Sequence, residues 1–244
     1  MLSALLAGHF FLGSIAVAHQ IYRIVKPYRF GVYGPSMTGK TTLDQYLTVP
    51  GDIDPIPLEF RTTHPYDSVL KQYRIPRAER KLLRWKKEKK AISNTDIGGQ
   101  SQFRNLWIED MFGRNVEVVI YMVDHRVLTS PQCLLDSVVG FEYLIDCMLK
   151  KKTNNSLSRK ARRRSKKYTP KLFCLLINKM DLWFDQQAAI LWDMNMKREH
   201  PIVAPFRNGL KRLRKAGVRA EVEAISAQHG LNVERILINL IESL

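Results

Sequence analysis

The chain is poor in cysteine. Its 244 residues include only Cys133, Cys147 and Cys174, which lie far apart and form no CxxC pair. Without such a pair or a companion histidine pattern, neither a cysteine metal site nor a disulfide framework is expected. The apolar neighbours of Cys174 in the stretch KLFCLLIN favour reduced, mostly buried thiols, as in cytosolic proteins.

Acidic residues are also scarce, with 23 Asp and Glu against 39 Lys and Arg, which gives a net charge of +16. Two segments carry this excess. The first basic insert, residues 71–90, holds ten basic residues and two Glu, and the second basic insert, residues 150–171, holds eleven and no acid. Elsewhere acidic residues slightly outnumber basic ones, so the chain is a near-neutral domain with two basic inserts.

The N-terminus has no Asp, Glu, Lys or Arg between residues 2 and 22. This apolar length matches the roughly 20 residues that span a bilayer. No basic residue precedes it, which argues against a cleaved signal peptide, and Leu at position 2 excludes N-myristoylation. Because Arg23, Lys26 and Arg29 follow it, we expect residues 1–26 to form a single-pass membrane anchor with the next domain on the cytoplasmic side. A buried helix, or one lying in the membrane interface, is the alternative.

The remainder, residues 27–244, is predicted to be one α/β domain. Strand-like apolar runs alternate with segments of helical periodicity. This order predicts a parallel, doubly wound sheet whose ligand lies at the carboxyl ends of the strands. The predicted strands include residues 28–34, 115–124, 171–181 and 218–226.

A phosphate-binding loop is predicted after the first strand. Residues 34–41, GPSMTGKT, fit GxxxxGK[ST] and open a helix, so backbone N–H groups and the helix N-terminus can face phosphate oxygens. Lys40 can reach the β- and γ-phosphates, and the Thr41 hydroxyl can ligate Mg²⁺. The candidate phosphate-binding residues are Gly34, Ser36, Met37, Thr38, Gly39, Lys40, Thr41 and Thr42.

A guanine-binding motif is predicted after the 171–181 strand, where Asn178, Lys179 and Asp181 occur in the sequence NKMD. A carboxylate there can accept hydrogen bonds from guanine N1–H and the exocyclic amine, which adenine does not offer, and the Lys179 stem can lie along the base. The sequence ISAQHG after the last strand could bring further backbone N–H groups to the guanine oxygen, from Ser226, Ala227 and Gln228.

A third motif, NTDIGGQSQFRNLW, spans residues 94–107. Asp96 can hold Mg²⁺ through water, Gly98 and Gly99 can contact a γ-phosphate, and Gln100 can orient an attacking water. A plain Gly-Gly turn is the alternative.

In this order, the motifs make residues 28–244, apart from the inserts, similar to small GTPases of the Ras superfamily, and DIGGQ resembles the Arf and Arf-like branch. The anchor is similar to that of the signal recognition particle receptor beta subunit. The resemblance implies a three-layer P-loop NTPase fold preceded by an apolar helix. It also implies binding of GTP or GDP with Mg²⁺, slow hydrolysis assisted by partners, and switch regions that recruit an effector.

The same resemblance implies a switch I threonine that ligates Mg²⁺ and supports catalysis beside Lys40 and Gln100. The stretch FRTTHP offers Thr62 and Thr63, of which Thr62 is preferred. Two departures stand out: the strand AISNT before Asp96 is poorly apolar, and SAQ replaces the more familiar SAK.

Both basic inserts are expected at the end of the sheet opposite the nucleotide, on the same side as the anchor. We therefore hypothesise that they contact anionic lipid. A solvated loop without a role and a nucleic-acid surface are the alternatives. The lack of interleaved aromatic residues in 150–167 disfavours RNA.

Three functions are compatible with these motifs. The leading one is a membrane-anchored GTP switch that recruits partners through Phe103, Leu106 and Trp107, although core packing would also explain these three. The second is a nucleotide-bound scaffold with little hydrolysis, whose basic face binds lipid or nucleic acid. The third, an ATPase that uses Asp124 as its Mg²⁺ acid, is disfavoured by NKMD.

Overall fold

The computed structural model describes residues 28–48, 70–75, 90–150 and 157–244. The predicted anchor, the middle of the first basic insert, and Thr62 and Thr63 lie outside these residues. Within the described ranges, no helix combines the length and apolar character needed to cross a bilayer.

A six-stranded sheet runs through the described domain in the order β2-β3-β1-β4-β5-β6. Only β2 is antiparallel, and it forms a hairpin with β3. The predicted mostly parallel α/β sheet is therefore confirmed. Its strands are β1 (Tyr28–Tyr33), β2 (Leu70–Ile75), β3 (Lys90–Thr95), β4 (Val118–Val123), β5 (Leu172–Ile177) and β6 (Arg219–Ala224).

Helices cover both faces of this sheet, as the parallel topology requires. They are α1 (Lys40–Thr48), α2 (Arg104–Arg114), α3 (Arg126–Thr129), α4 (Pro131–Lys150), α5 (Arg159–Ser165), α6 (Gln186–Asp193), α7 (Arg207–Lys215) and α8 (Val233–Glu242). Short 3₁₀ helices occupy Ser101–Phe103, Met180–Leu182, Lys197–Glu199 and Ala204–Phe206.

Two hydrophobic cores lie on the two faces of the sheet, because successive side chains of a strand point to opposite faces. In β4, Val119 and Tyr121 belong to the core under α2, α4 and α7, whereas Val118 and Ile120 belong to the core under α1 and α8. Every residue of β4 and β5 is buried. The three cysteines are free, and two of them are buried, as the sequence predicts.

The poorly apolar strand β3 is held by hydrogen bonds to polar side chains as well as by the ladder. It pairs with β1 and β2. Val32 N–H donates to Asn94 Oδ1 at 3.2 Å, and the Ser93 hydroxyl donates to Tyr28 O at 3.4 Å. Both side chains are buried, so these bonds satisfy polar groups that would otherwise destabilise the strand.

The described part of the second basic insert, residues 157–171, is not a solvated loop. It forms α5, whose Ser158 cap accepts a hydrogen bond from Ala161 N–H at 3.2 Å. Ala161 is fully buried, and the ring of Tyr168 packs edge-on against Phe112 with centroids 5.2 Å apart. One face of the segment therefore covers the core beside α2, while its Arg and Lys side chains are exposed.

Helix α7 packs against α4 at Gly209. A Cβ at this position would lie 2.4 Å from a ring carbon of Phe141 and 2.7 Å from a methyl carbon of Ile145. We expect Gly209→Ala to lower the free energy of unfolding by about 1–2 kcal/mol, because overpacking outweighs the gain in helix propensity. Urea denaturation measures the change.

The matched control is Gly113→Ala in α2, where only Glu109 Oε1 lies near the added methyl, at 3.6 Å. This substitution should raise the free energy of unfolding by about 0.5–1 kcal/mol. Equal changes in the two variants would contradict the packing argument.

Candidate nucleotide-binding site

The predicted phosphate loop joins β1 to α1 at the carboxyl end of β1. Gly34 and Gly39 have φ of 144° and 92°, values that favour glycine. A Cβ on Gly34 would lie 2.1 Å from Met122 O, and one on Gly39 would lie 2.1 Å from Asn178 Nδ2. The path of the loop therefore depends on close approach to the ends of β4 and β5.

Lys40 is buried at the start of α1. Its ammonium donates to Gly34 O at 2.9 Å and to Pro35 O at 2.7 Å. Burial lowers the pKa of Lys40 to about 8, and the Asp96 carboxylate opposes this change. An anion bound in the loop would favour the charged form of this side chain.

The predicted Mg²⁺ ligands Thr41 and Asp96 lie together. The Thr41 hydroxyl donates to Asp96 Oδ2 at 3.0 Å, across 55 residues of sequence. No group of three or more His, Cys, Asp or Glu residues that could hold a metal ion occurs in the described ranges. A hydroxyl and a carboxylate nevertheless fit Mg²⁺, which takes few protein ligands when phosphate and water supply the others.

The DIGGQ loop packs directly against the phosphate loop. A Cβ on Gly99 would lie 2.2 Å from the carbonyl carbon of Pro35 and 2.4 Å from Ser36 N, so only glycine fits here. The indole N–H of Trp107, which is buried in the core, donates to Gly98 O at 3.0 Å and holds the loop against the core. The Gln100 side chain is partly exposed and accepts a hydrogen bond from Gln102 Nε2 at 2.8 Å.

The three apolar residues that follow DIGGQ do not share one role. Trp107 is fully buried in the core, so it forms no part of a partner surface in this structure. Phe103 and Leu106 are partly exposed, and Leu106 packs against the same core. The core-packing interpretation is therefore correct for Trp107.

Asn178 connects three segments of the site. Its amide group donates to Thr38 O at 2.8 Å and accepts from Ala227 N–H at 2.9 Å. The side chain is 2% exposed, so the two bonds satisfy an amide that water does not reach. The NKMD turn, the phosphate loop and the SAQ segment are thereby held in one arrangement.

A charged network that the motifs do not reveal supports the same loop. The buried carboxylate of Asp124 bonds Arg126 Nε at 3.0 Å and Lys179 Nζ at 2.7 Å. Arg126 then donates to Ser36 O at 2.9 Å, and Lys179 donates to Met37 O at 3.1 Å. Burial raises the pKa of Asp124, but the hydrogen bonds from Arg126 and Lys179 outweigh it and leave the pKa below its ordinary value.

These contacts orient the peptide groups of the loop. The carbonyls of Ser36, Met37 and Thr38 all accept hydrogen bonds from outside the loop. Because C=O and N–H of one peptide unit point in opposite directions, the N–H groups that follow them point the other way. Consecutive N–H groups turned to one side form an anion-binding concavity. With its carboxylate engaged by two cations, Asp124 is also a poor candidate for a metal-binding acid.

The residues predicted to contact guanine differ in whether they already form hydrogen bonds or ion pairs within the protein. Asp181 lies in the 3₁₀ turn after β5, with His229 Nε2 3.9 Å from its carboxylate. Ser226 N–H donates to Leu231 O, and Ala227 N–H donates to Asn178, whereas Gln228 is exposed. The buried Ser226 hydroxyl has no hydrogen-bond partner in the described part of the chain. The individual contacts with guanine stay predictions, as does the role of Thr62.

No protein-family model matches the chain, and no curated protein matches it either. Among solved structures it is similar to a bacterial selenocysteine-specific elongation factor, EF-Sec, with a TM-score of 0.50 and 19% identity. This likeness covers 90% of the chain and 29% of the elongation factor, so the chain spans less than a third of that protein.

Two further solved structures are similar. One is the Arl6 (BBS3) small GTPase from Trypanosoma brucei with bound GppNp, with a TM-score of 0.49, 20% identity, and coverage of 89% of this chain and 97% of that one. The other is the elongation factor SelB from Methanococcus maripaludis in complex with a GTP analogue, with a TM-score of 0.48, 15% identity, and coverage of 89% and 34%. The likeness to EF-Sec agrees with the sheet order and the loop after β1: the chain has the α/β fold of P-loop GTPases.

Proposed function

We propose that the protein is a membrane-anchored switch that binds GTP with Mg²⁺, hydrolyses it slowly with the help of a partner, and recruits an effector. The amide of Asn178 is the observation that carries the nucleotide part of this proposal. With bonds of 2.8 and 2.9 Å it joins the phosphate loop to the segment after β6. Sequence elements that are 140 and 49 residues away from it thus meet at one buried side chain.

The phosphates would be held by the N–H groups of the loop and by Lys40. Mg²⁺, when bound, neutralises charge on the β- and γ-phosphates. The Thr41 hydroxyl and the Asp96 carboxylate, 3.0 Å apart, are the oxygens that would hold it, with Asp96 acting through water. Thr62 is the further ligand that the resemblance implies.

Guanine selectivity would come from Asp181, which follows the carboxyl end of β5. Its carboxylate accepts hydrogen bonds only, which matches the two donors on the guanine edge. Lys179 donates hydrogen bonds to Asp124 and Met37 O, and its stem would cover the base. The backbone of Gln228 can supply an N–H to the guanine oxygen.

The DIGGQ loop would report whether a γ-phosphate is present. Gly99 already lies against Pro35 and Ser36, so a phosphate in the loop changes the space next to it. Gln100 would orient the attacking water, and regulators would complete the site. Effectors would contact the exposed residues that follow, including Phe103. The nucleotide-bound scaffold is the alternative if hydrolysis does not depend on Gln100.

We also propose that the anchor and the basic inserts lie on the membrane side of the domain. Helix α5 leads into the amino end of β5, whereas the phosphate loop follows the carboxyl end of β1. Ile75 and Lys90, within the first basic insert, pair at the same end of the sheet as α5, whereas Leu70 and Thr95 pair at the opposite end. Arg and Lys near a bilayer surface contribute about 1 kcal/mol each with anionic lipid.

Base selectivity is tested with Asp181→Asn. Replacing the carboxylate by an amide removes two charge-assisted hydrogen bonds, so we expect GDP affinity to fall roughly 100-fold or more. Affinity for xanthosine diphosphate should rise, because its 2-carbonyl accepts from the new amide. Titration with fluorescent nucleotides measures both, and Asp193→Asn, at the exposed end of α6, is the matched control. Tighter binding of ATP than of GTP by the wild type would refute the assignment.

The switch and the scaffold are separated by single-turnover GTP hydrolysis of the wild type and Gln100→Leu, with and without cell extract. A side chain that positions the reacting water contributes about 10²–10⁴-fold, so we expect at least a ~10-fold loss of rate in the variant. The matched control Gln187→Leu, at an exposed position of α6, should stay close to the wild type. Equal, negligible rates for wild type and Gln100→Leu in extract would favour the scaffold.

Lipid contact is tested by flotation of residues 27–244 with vesicles of neutral or anionic lipid. Arg159 and Arg163 are exposed on α5. We expect Arg159→Gln/Arg163→Gln to lose binding to anionic vesicles by roughly 30-fold, at about 1 kcal/mol for each charge. Lys211→Gln/Arg235→Gln removes the same charge from α7 and α8 and should retain binding. No gain in wild-type binding when anionic lipid is added would overturn the proposal.

A further inference from the structure

A second cleft lies at the outer edge of the sheet, away from the phosphate loop. Among the described strands, β6 pairs with β5 alone, and β4 and β5 separate it from β1. A cleft of about 660 Å³ follows this edge, between β6 and the segment around Lys197 and Arg198. The cleft is not used by the proposed function.

The backbone of β6 presents an unusual pattern along this cleft. Ile225 N–H donates to Ile177 O at 2.9 Å. Since alternate residues of a strand face opposite sides, the N–H and C=O groups of Ala220, Val222 and Ala224 point away from β5. These three residues therefore form the outer edge.

All three outward carbonyls are already bonded to side chains. Arg214 donates to Ala220 O at 2.6 Å, Lys197 donates to Val222 O at 3.1 Å, and Asn232 donates to Ala224 O at 3.4 Å. The N–H groups of Ala220 and Val222 have no acceptor in the described part of the chain, although both residues are buried. The edge thus offers hydrogen-bond donors and no free acceptor.

The charged side chains of the cleft likewise leave positive groups, rather than carboxylates, without an ionic partner. Its two carboxylates are paired, Glu223 with Lys197 at 2.7 Å and Glu221 with Arg219 at 2.6 Å. Arg198 and Arg214 also line the cleft and have no carboxylate partner among the described residues. Burial and then the charge of Arg198 lower the pKa of Arg214, as expected for a partly buried cation near a like charge.

This combination selects one kind of ligand. An extended peptide that added to β6 would need free carbonyls as well as N–H groups, and these carbonyls are taken. Protection of the edge against other strands would explain the bonded carbonyls but not the two guanidinium groups that have no carboxylate partner among the described residues. An anion that only accepts hydrogen bonds could use both the free N–H groups and the guanidinium groups. A planar guanidinium group can donate two parallel hydrogen bonds to two phosphate oxygens.

We propose that the cleft along β6 binds a phosphate group, free or as a phosphomonoester, between Arg198 and Arg214, with the N–H groups of Ala220 and Val222 as further donors. The site is separate from the phosphate loop and does not depend on guanine-nucleotide binding.

The test is titration of the ¹⁵N-labelled full chain in detergent micelles, followed by amide and arginine side-chain NMR signals. The probes are inorganic phosphate, glycerol 3-phosphate, and phosphatidic acid added to the micelles, which distinguish a free phosphate from a lipid headgroup. We expect saturable shifts at Val222 and Ala220. Residue resolution separates this site from any phosphate in the loop around Lys40.

Arg198→Ala should weaken this binding at least ~10-fold for whichever probe binds, because it removes a charge-assisted contact. Arg198 is exposed, and its side chain forms no hydrogen bond or ion pair within the described residues, so the substitution should not impair folding. Lys211→Ala, an exposed charge outside the cleft, should bind as the wild type does. Equal affinity in Arg198→Ala and wild type, or shifts confined to residues 34–41, would overturn the proposal.

Discussion

The candidate site depends on the buried amide of Asn178. Its two hydrogen bonds reach Thr38 O and Ala227 N–H, and the loss of either would leave a buried polar group unpaired, at a cost of about 1–3 kcal/mol. The same amide explains Gly39, since any Cβ there would overlap its nitrogen. Phosphate loop, NKMD turn and SAQ segment are thus mutually constrained, so the predicted base-binding and phosphate-binding sequences form one structural unit.

A second constraint is electrostatic. Asp124 holds Arg126 and Lys179 in place, and each of these cations then binds a carbonyl of the phosphate loop. The network therefore does two things with one carboxylate. The carboxylate pairs with two cations at the ends of β4 and β5. Through these cations it also holds the loop carbonyls in an orientation in which the adjacent N–H groups can face an anion. A bound nucleotide would meet a loop whose shape is set before binding, which lowers the entropic cost of association.

The sequence was sufficient for the features that depend on local pattern. The apolar runs of β4 and β5 and the order of the motifs predict a mostly parallel sheet with a ligand at its carboxyl edge, and the described topology agrees. The sequence was insufficient where buried polar groups form hydrogen bonds with residues that are distant along the chain. Strand β3 is buried with Ser93 and Asn94 bonded to β1, and Arg126 reaches Ser36 across 90 residues. None of these hydrogen bonds produces a residue spacing or a periodicity that can be recognised in the sequence. Helix α5 was hidden for a related reason: its buried face consists of small or separated residues within a run of charges.

The two ends of the sheet are suited to different kinds of anion. At the carboxyl ends of the strands, the N–H groups of the phosphate loop and Lys40 are the groups that would bind the phosphates of a small polyanion. At the amino ends, α5 presents flexible Arg and Lys side chains on an open surface, which suits a broad, weakly specific anionic surface such as a lipid headgroup layer. Because a six-residue strand holds its two ends about 20 Å apart, the proposed membrane contact at the α5 end would leave the nucleotide end free for partners. The proposed anchoring and switching would therefore not compete for the same surface.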